Sequence, residues 1–256
     1  MTFFKESQQR IASFFMGKNL DQETSLPKTQ WKVFWRCKRG RPMEGRPRTK
    51  NSLKKNSAYL NGRMVFFMFS KTFGAVKRLG GLFVVGCPSV LGGSCVSVAG
   101  SRKIDQSSSR WLENLIGQLD PATTVVSGLA LGADSVAHRA ALDNDLRTVA
   151  VLPCGFDNIA PRSNLRLARE IVESGGALVS EYTLTTRAAR GRYVARNRII
   201  AKLGKMLIIP QFDERSGTRH TVDFAQQMGK PIVVQNANYS GNQFVLRNTN
   251  YLTIAK

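Results

Sequence analysis

The stretch Val125–His138, VVSGLALGADSVAH, decides the fold of this 256-residue chain. The β-branched Val125 and Val126 lead into Ser127-Gly128, a second glycine follows at Gly132, and Asp134 opens an alanine-rich run. In that run Val136, Ala137, Ala140 and Ala141 recur at helical spacing. The reading is strand, glycine loop, helix N-terminus. Such a junction offers unpaired backbone N–H groups at the positive end of a helix dipole, where a phosphate or another anion can sit. For a glycine loop alone, a plain strand-to-helix turn that binds nothing is the better reading, so the neighbouring segments have to decide.

Working outward, short β-rich runs at 96–99, 123–127, 148–152, 177–180, 206–209 and 232–234 alternate with helical patterns near 106–119, 133–145, 163–174, 195–204 and 219–228. Strands separated by helices predict βαβ crossovers and a parallel sheet. Nearly continuous apolar strands such as TVAVL and MLIIP suit a sheet covered on both faces. In such folds ligands bind outside the carboxyl ends of the strands, so each strand exit is a candidate site.

Charge divides the chain. Residues 1–95 carry 18 Lys/Arg against 4 Asp/Glu and residues 96–256 carry 20 against 13, which together make the net charge of +21. A polyanion is the expected partner, because counterion release from a nucleic-acid backbone drives binding without any base being read. An anionic membrane surface is the competing target, but no apolar run is long enough for a transmembrane helix. Glu6 and the lack of an apolar core with a cleavage site argue against a secretory signal. The cysteines at 37, 87, 95 and 154 have neither CxxC spacing nor framework density. They read as free thiols in a reducing cytoplasm, with no metal site.

Residues 1–90 read as a basic, poorly structured N-terminal extension and residues 91–256 as the folded domain. Within the extension, residues 1–20 could form an amphipathic helix, Trp31–Trp35 is an aromatic cluster, and Arg36–Lys55 is rich in Arg, Lys, Gly and Pro. That last tract is either an electrostatic arm for nucleic acid or a solvated linker. Two apolar runs, Met64–Phe69 and Leu82–Val85, lack a clean period, and Phe83–Gly86 is a candidate added strand. Poorly structured sequence from a misplaced start is an alternative reading of this part.

The strand exits carry Gly100-Ser101-Arg102, then the opening stretch, then Pro153–Asp157, then Ser180-Glu181-Tyr182. Arg102 stands on the ligand edge, where a guanidinium can grip a phosphate with two N–H donors. Next comes Arg196-Asn197-Arg198-Ile199-Ile200-Ala201 on a helix. Arg196 and Arg198 cannot both face a sheet, so at least one points to solvent or ligand. The last exit leads to Ser216-Gly217-Thr218 before a helix, a second candidate anion cradle.

GSR, SGLALGADSVAH, VLPCGFD, SEY, RNRIIA and SGT followed by TVDFA, in this order, resemble the DNA processing protein A (DprA/Smf) family over Val96 to about Val234. The resemblance implies a Rossmann-like, three-layer α/β fold with a mostly parallel sheet. It also implies a protein that binds and protects single-stranded DNA and helps load a RecA-type recombinase, in a non-enzymatic role; no cofactor is expected, and a homodimer is a candidate assembly. The implied phosphate-binding positions are Ser101, Arg102, Ser127, Gly128, Arg196, Asn197, Arg198, Ser216 and Gly217; the loop reading adds Gly132, and Tyr182 or Phe156 is a candidate stacking face. Thr183-Leu184 replaces the family's proline-glycine after SEY, and His220 stands where small or apolar residues are usual. The family's winged-helix and N-terminal helical domains have no recognisable counterpart, which puts the surfaces they carry in doubt.

Two enzymatic readings compete. Asp134 and His138 lie four apart on one helix face and could form a general base with its orienting carboxylate. No motif places a nucleophile beside them, so a capping aspartate and a packed histidine are the better reading. Nucleotide phosphoribohydrolases of the same superfamily place a Gly-Thr loop before a helix with a catalytic glutamate. Here Gln211-Phe212 replaces paired glycines after Pro210, and no glutamate follows Thr218 in the helix. A nucleotide sensor using the same cradle is the remaining alternative.

Overall fold

The computed structural model describes residues 56–60, 63–79, 81–247 and 251–254, with side chains for 70–79 and 81–247. The expected helix over 1–20, the Trp31–Trp35 cluster, the tract Arg36–Lys55 and Cys37 lie outside the described residues.

Four antiparallel strands, β1 (Asn56–Leu60), β2 (Arg63–Ser70), β3 (Gly74–Leu79) and β4 (Leu82–Gly86), precede seven parallel ones. The parallel set is β5 (Cys95–Val98), β6 (Thr124–Ser127), β7 (Arg147–Leu152), β8 (Ala177–Ser180), β9 (Leu207–Ile209), β10 (Ile232–Gln235) and β11 (Tyr251–Ile254). Across the sheet the order is β1-β2-β3-β4-β8-β7-β6-β5-β9-β10-β11. The helices are α1 (Gln106–Ile116), α2 (Ala133–Asp143), α3 (Leu165–Glu173), α4 (Arg190–Leu203), α5 (Thr218–Gln227) and α6 (Ser240–Arg247). None among the described residues is long and apolar enough to cross a membrane.

The period-2 pleat explains the layers. Val125, Ala150, Leu152, Leu178, Ile208 and Val233 face α1, α2 and α3, through Leu112, Ile116, Ala137, Leu167 and Ile171. Their sequence neighbours Val126, Val149, Val151 and Val179 face Ile199 and Ile200 of α4, while Leu207, Ile209 and Val234 face Val222, Ala225 and Val245 of α5 and α6. Burial of each such side chain contributes roughly 1.5–3 kcal/mol. A sheet apolar on both faces is stable only with helices on both, which gives the three-layer, Rossmann-like arrangement.

The candidate strand at Phe83–Gly86 is present as β4, N-terminal to the expected division at residue 90 and yet part of the sheet. It is hydrogen-bonded antiparallel to β8, with Val84 and Val85 buried on opposite faces of the sheet. The apolar run Met64–Phe69 is the body of β2. Strands β1 to β4 therefore belong to the sheet, where the sequence suggested poorly structured chain. The scattered Lys, Arg and Gly had hidden their period. Helix α4 starts at Arg190, earlier than the expected 195, and α6 and β11 add elements too short to show a period.

Strands β5 and β9 are neighbours although three strands intervene in the chain, so successive connections run in opposite directions on either side of this pair. Their carboxyl ends form the topological switch point, where a crevice opens in doubly wound sheets.

Candidate nucleic-acid interface

Three strand exits meet at the switch point. After β5, Ser101 N–H donates to Gln211 O (2.7 Å) in the loop after β9, and Thr218 Oγ1 donates to Gly100 O (3.0 Å). After β6, Ala133 N–H donates to Ser101 O (3.0 Å). Gly132 has φ 73°, and a Cβ there would lie 2.3 Å from Ser101 O, so only glycine permits this approach. The Ser101 hydroxyl donates to Lys103 O (3.0 Å) and accepts from Lys103 N–H (3.1 Å), which fixes a turn with Arg102 exposed at its apex. The Arg102 guanidinium lies 5.5 Å from the centre of the Tyr193 ring and has no acidic partner among the described residues.

The glycine loop after β6 is rigidly seated. Leu129 is fully buried at φ 60°, a conformation that bulky residues adopt only when their surroundings impose it. Asn164 supplies the restraint, donating from Nδ2 to Leu129 O (2.9 Å), Ala130 O (3.2 Å) and Ser135 Oγ (2.9 Å). Ser135 Oγ donates to Ala130 O (2.6 Å), and Asp134 accepts from Ala130 N–H (3.2 Å). Asn164 went unnoticed in the sequence because nothing local marks an asparagine whose partners lie in a distant loop.

Arg196 and Gly128 form one unit. The Arg196 side chain is only 5% exposed and points an Nη1 at Asp134 Oδ2, 3.5 Å away. A Cβ on Gly128 would fall 1.0 Å from that Nη1, so Gly128 is glycine to seat the guanidinium. Burial disfavours the charge on Arg196, while Asp134 opposes that effect, and its Nε has no partner. Two residues on, Arg198 is half-exposed and donates from Nη2 to Glu181 Oε1 (2.9 Å). The expectation that these two arginines diverge matches this placement.

The other expected positions divide. Ser127 is buried and spends its hydroxyl on Val98 O (2.9 Å), so its side chain ties strands together and cannot reach a ligand. Asn197 Nδ2 donates to Gly217 O (3.2 Å), joining α4 to the start of α5. Ser216 has a buried hydroxyl without a partner, next to exposed Gly217. Phe156 is fully buried and offers no stacking face, because its ring fills the core between β7 and α3. Tyr182 is half-buried, with Arg192 stacked 5.0 Å from its ring centre. The exit at Asp157 is taken by the N-terminal strands: its Oδ1 accepts from Ser70 Oγ (2.7 Å) and Lys71 N–H (2.9 Å).

His138 makes no hydrogen bond with Asp134. Its Nδ1 lies 2.7 Å from Thr148 Oγ1, whose single proton goes to Val125 O (2.8 Å). Nδ1 therefore carries the imidazole proton and donates. Nε2 is buried and unpartnered, and burial pushes the histidine pKa down to about 4. This is a packed, neutral histidine. The described cysteines, 87, 95 and 154, are free thiols, and no group of three or more metal-ligating side chains occurs among the described residues.

Comparison with known proteins extends the geometry. Residues 78–252 match the family model for DNA recombination-mediator protein A, a span that begins within β3 and includes β4. The chain is 38% identical over 154 residues to protein Smf of Escherichia coli, covering 60% of this chain and 41% of the relative. It is 35% identical over 137 residues to DNA processing protein DprA of Streptococcus pneumoniae, covering 54% and 48%. The chain thus spans less than half the length of these two relatives. The solved structure of the S. pneumoniae protein superposes with a TM-score of 0.63 at 30% identity, over 66% of this chain and 62% of that one. DNA processing protein A of Helicobacter pylori, whose structure is described for its single-stranded DNA binding mode, gives 0.65 at 28% identity, over 75% and 90%. Motif order, sheet topology and the match over residues 78–252 agree, and the chain belongs to the DNA recombination-mediator protein A (DprA/Smf) family.

Proposed function

We propose that this chain binds single-stranded DNA along the carboxyl edge of its parallel sheet and acts as a recombination mediator in the cytoplasm. The observation that carries this reading is Arg102, exposed without a carboxylate partner among the described residues, at the apex of a turn pinned to the switch point. Arg198 and the amides of the Gly132 and Gly217 loops extend the row of donors along the same edge. Phosphate contacts of this type position a strand and read little sequence. Asn197, Ser127 and Gly128 shape the groove, and Arg196 braces its floor. The family relationship supports a role in DNA processing, and the H. pylori relative supports single-stranded DNA as the ligand. Hand-over of the strand to a RecA-type recombinase and self-association complete the proposal. The helix after Thr218 has no glutamate, and its Asp223 is bound to Arg219 (2.8 Å), so nothing there favours phosphoribohydrolase chemistry.

The test is fluorescence anisotropy with labelled single- and double-stranded oligonucleotides of equal length across a salt series. The proposal expects a preference for the single strand and a linear fall of log affinity with log salt. Equal or no binding of the two would reject it.

A further inference from the structure

We propose that Glu181 is an intramolecular stand-in for phosphate, occupying Arg198 in the free protein and yielding it when DNA arrives; this rests on the carboxyl-edge reading above. Glu181 follows β8 directly, on the same sheet edge as Arg102, and its Oε1 holds Arg198 Nη2 at 2.9 Å. A carboxylate presents to a guanidinium the same single negative charge, shared over two acceptor oxygens, that a phosphodiester does. The surroundings fit a replaceable partner. Side-chain exposures of 49% for Arg198 and 32% for Glu181 keep both groups hydrated, so separating them costs little. The buried Asp134–Arg196 pair, at 9% and 5%, has no such freedom.

The segment around the pair is held in place. Arg192 stacks on Tyr182 and donates to Arg187 O, so the Glu181-Tyr182 turn cannot simply swing away. When a phosphate takes Arg198, the carboxylate stays beside the DNA backbone and must draw a cation from solution. Net counterion release is then smaller than the number of phosphates gripped. The device lowers affinity for a lone, weakly held anion, while a strand also anchored at Arg102 gains enough elsewhere to displace Glu181.

The experiment measures binding of fluorescein-labelled oligo-dT to the full chain between roughly 50 and 300 mM salt. The variants are Glu181→Gln, Arg198→Ala, the double variant and Arg102→Ala. Glu181→Gln should bind roughly threefold to tenfold tighter at the low-salt end, with a log–log salt slope steeper by roughly 0.7–1 unit. In the Arg198→Ala background the same change should give little gain. Weaker binding by Glu181→Gln would overturn the proposal and make Glu181 a residue that orients Arg198. An equal gain in both backgrounds would overturn it too, reducing Glu181 to a general field effect. If Arg102→Ala weakens binding while Glu181→Gln changes nothing, the stand-in alone fails. If neither Arg102→Ala nor Arg198→Ala matters, the carboxyl-edge reading fails with it.

Discussion

Two arginines two residues apart on α4 end in opposite surroundings, and the contrast separates the floor of the proposed groove from its rim. On the floor, Arg196 is buried against the Gly128 backbone and faces Asp134, its charge sustained by one long contact and the neighbouring Tyr193 ring. On the rim, Arg198 shares a short, hydrated contact with Glu181, and Arg102 has no carboxylate partner among the described residues. Residue type is the same and the physics differs. A buried guanidinium cannot be uncovered cheaply, so it shapes the loop; an exposed one exchanges partners at small cost, so it can serve a ligand.

This contrast can be broken in stability measurements. The largest effect is expected from Asp134→Ala, which leaves Arg196 buried without a counter-charge and removes an anchor of the Ala130 amide. Unfolding in urea should show a loss of about 3–5 kcal/mol. A loss below about 1 kcal/mol would mean that the pair is solvated and the floor is not rigid.

Acid comes next. His138 titrates near 4 in the folded chain, below its ordinary 6.5, because its buried ring resists charge. The unfolded chain therefore binds the proton first. Stability from this group is complete above about pH 6.5 and falls as pH drops toward 4, by roughly 3 kcal/mol in total. Comparing urea midpoints of the wild type and His138→Gln at neutral and acid pH isolates the contribution. Equal pH slopes would show that the ring is not held neutral.

Gly128→Ala should cost about 1–3 kcal/mol, since its Cβ and the Arg196 guanidinium claim the same space. It should also displace Arg196 enough to weaken oligonucleotide binding, whereas a rim change such as Arg198→Ala should leave the melting temperature within about a degree or two of wild type. A Gly128→Ala chain with wild-type stability would mean that Arg196 has another place to go.

The floor and the sheet were not equally legible in the sequence. Apolar runs such as Val149–Leu152 and Leu207–Ile209, bounded by glycines and helical patterns, gave the parallel strands because burial on both faces leaves a continuous signature. The N-terminal strands were hidden: β3 buries only Val76 fully, and the glycines, Lys77 and Arg78 around it break the period of the apolar runs. At the groove, motif spacing brought Arg102, the Gly132 loop and Ser216-Gly217 to one edge. It could not tell which arginine of Arg196-Asn197-Arg198 would be buried, because the deciding neighbours, Gly128 and Asp134, come from another strand exit. The assignment of Phe156 as a stacking face failed for a related reason. An aromatic residue after a strand can cover the end of the core as easily as the ligand edge, and here it fills the core.

The most direct test of the rim as a DNA-binding edge is the salt dependence of single-stranded oligonucleotide affinity for Arg102→Ala beside wild type. The account predicts weaker binding, uniform across sequences, with a log–log salt slope shallower by roughly one unit and an unchanged melting temperature. Wild-type affinity and slope in that variant would contradict it.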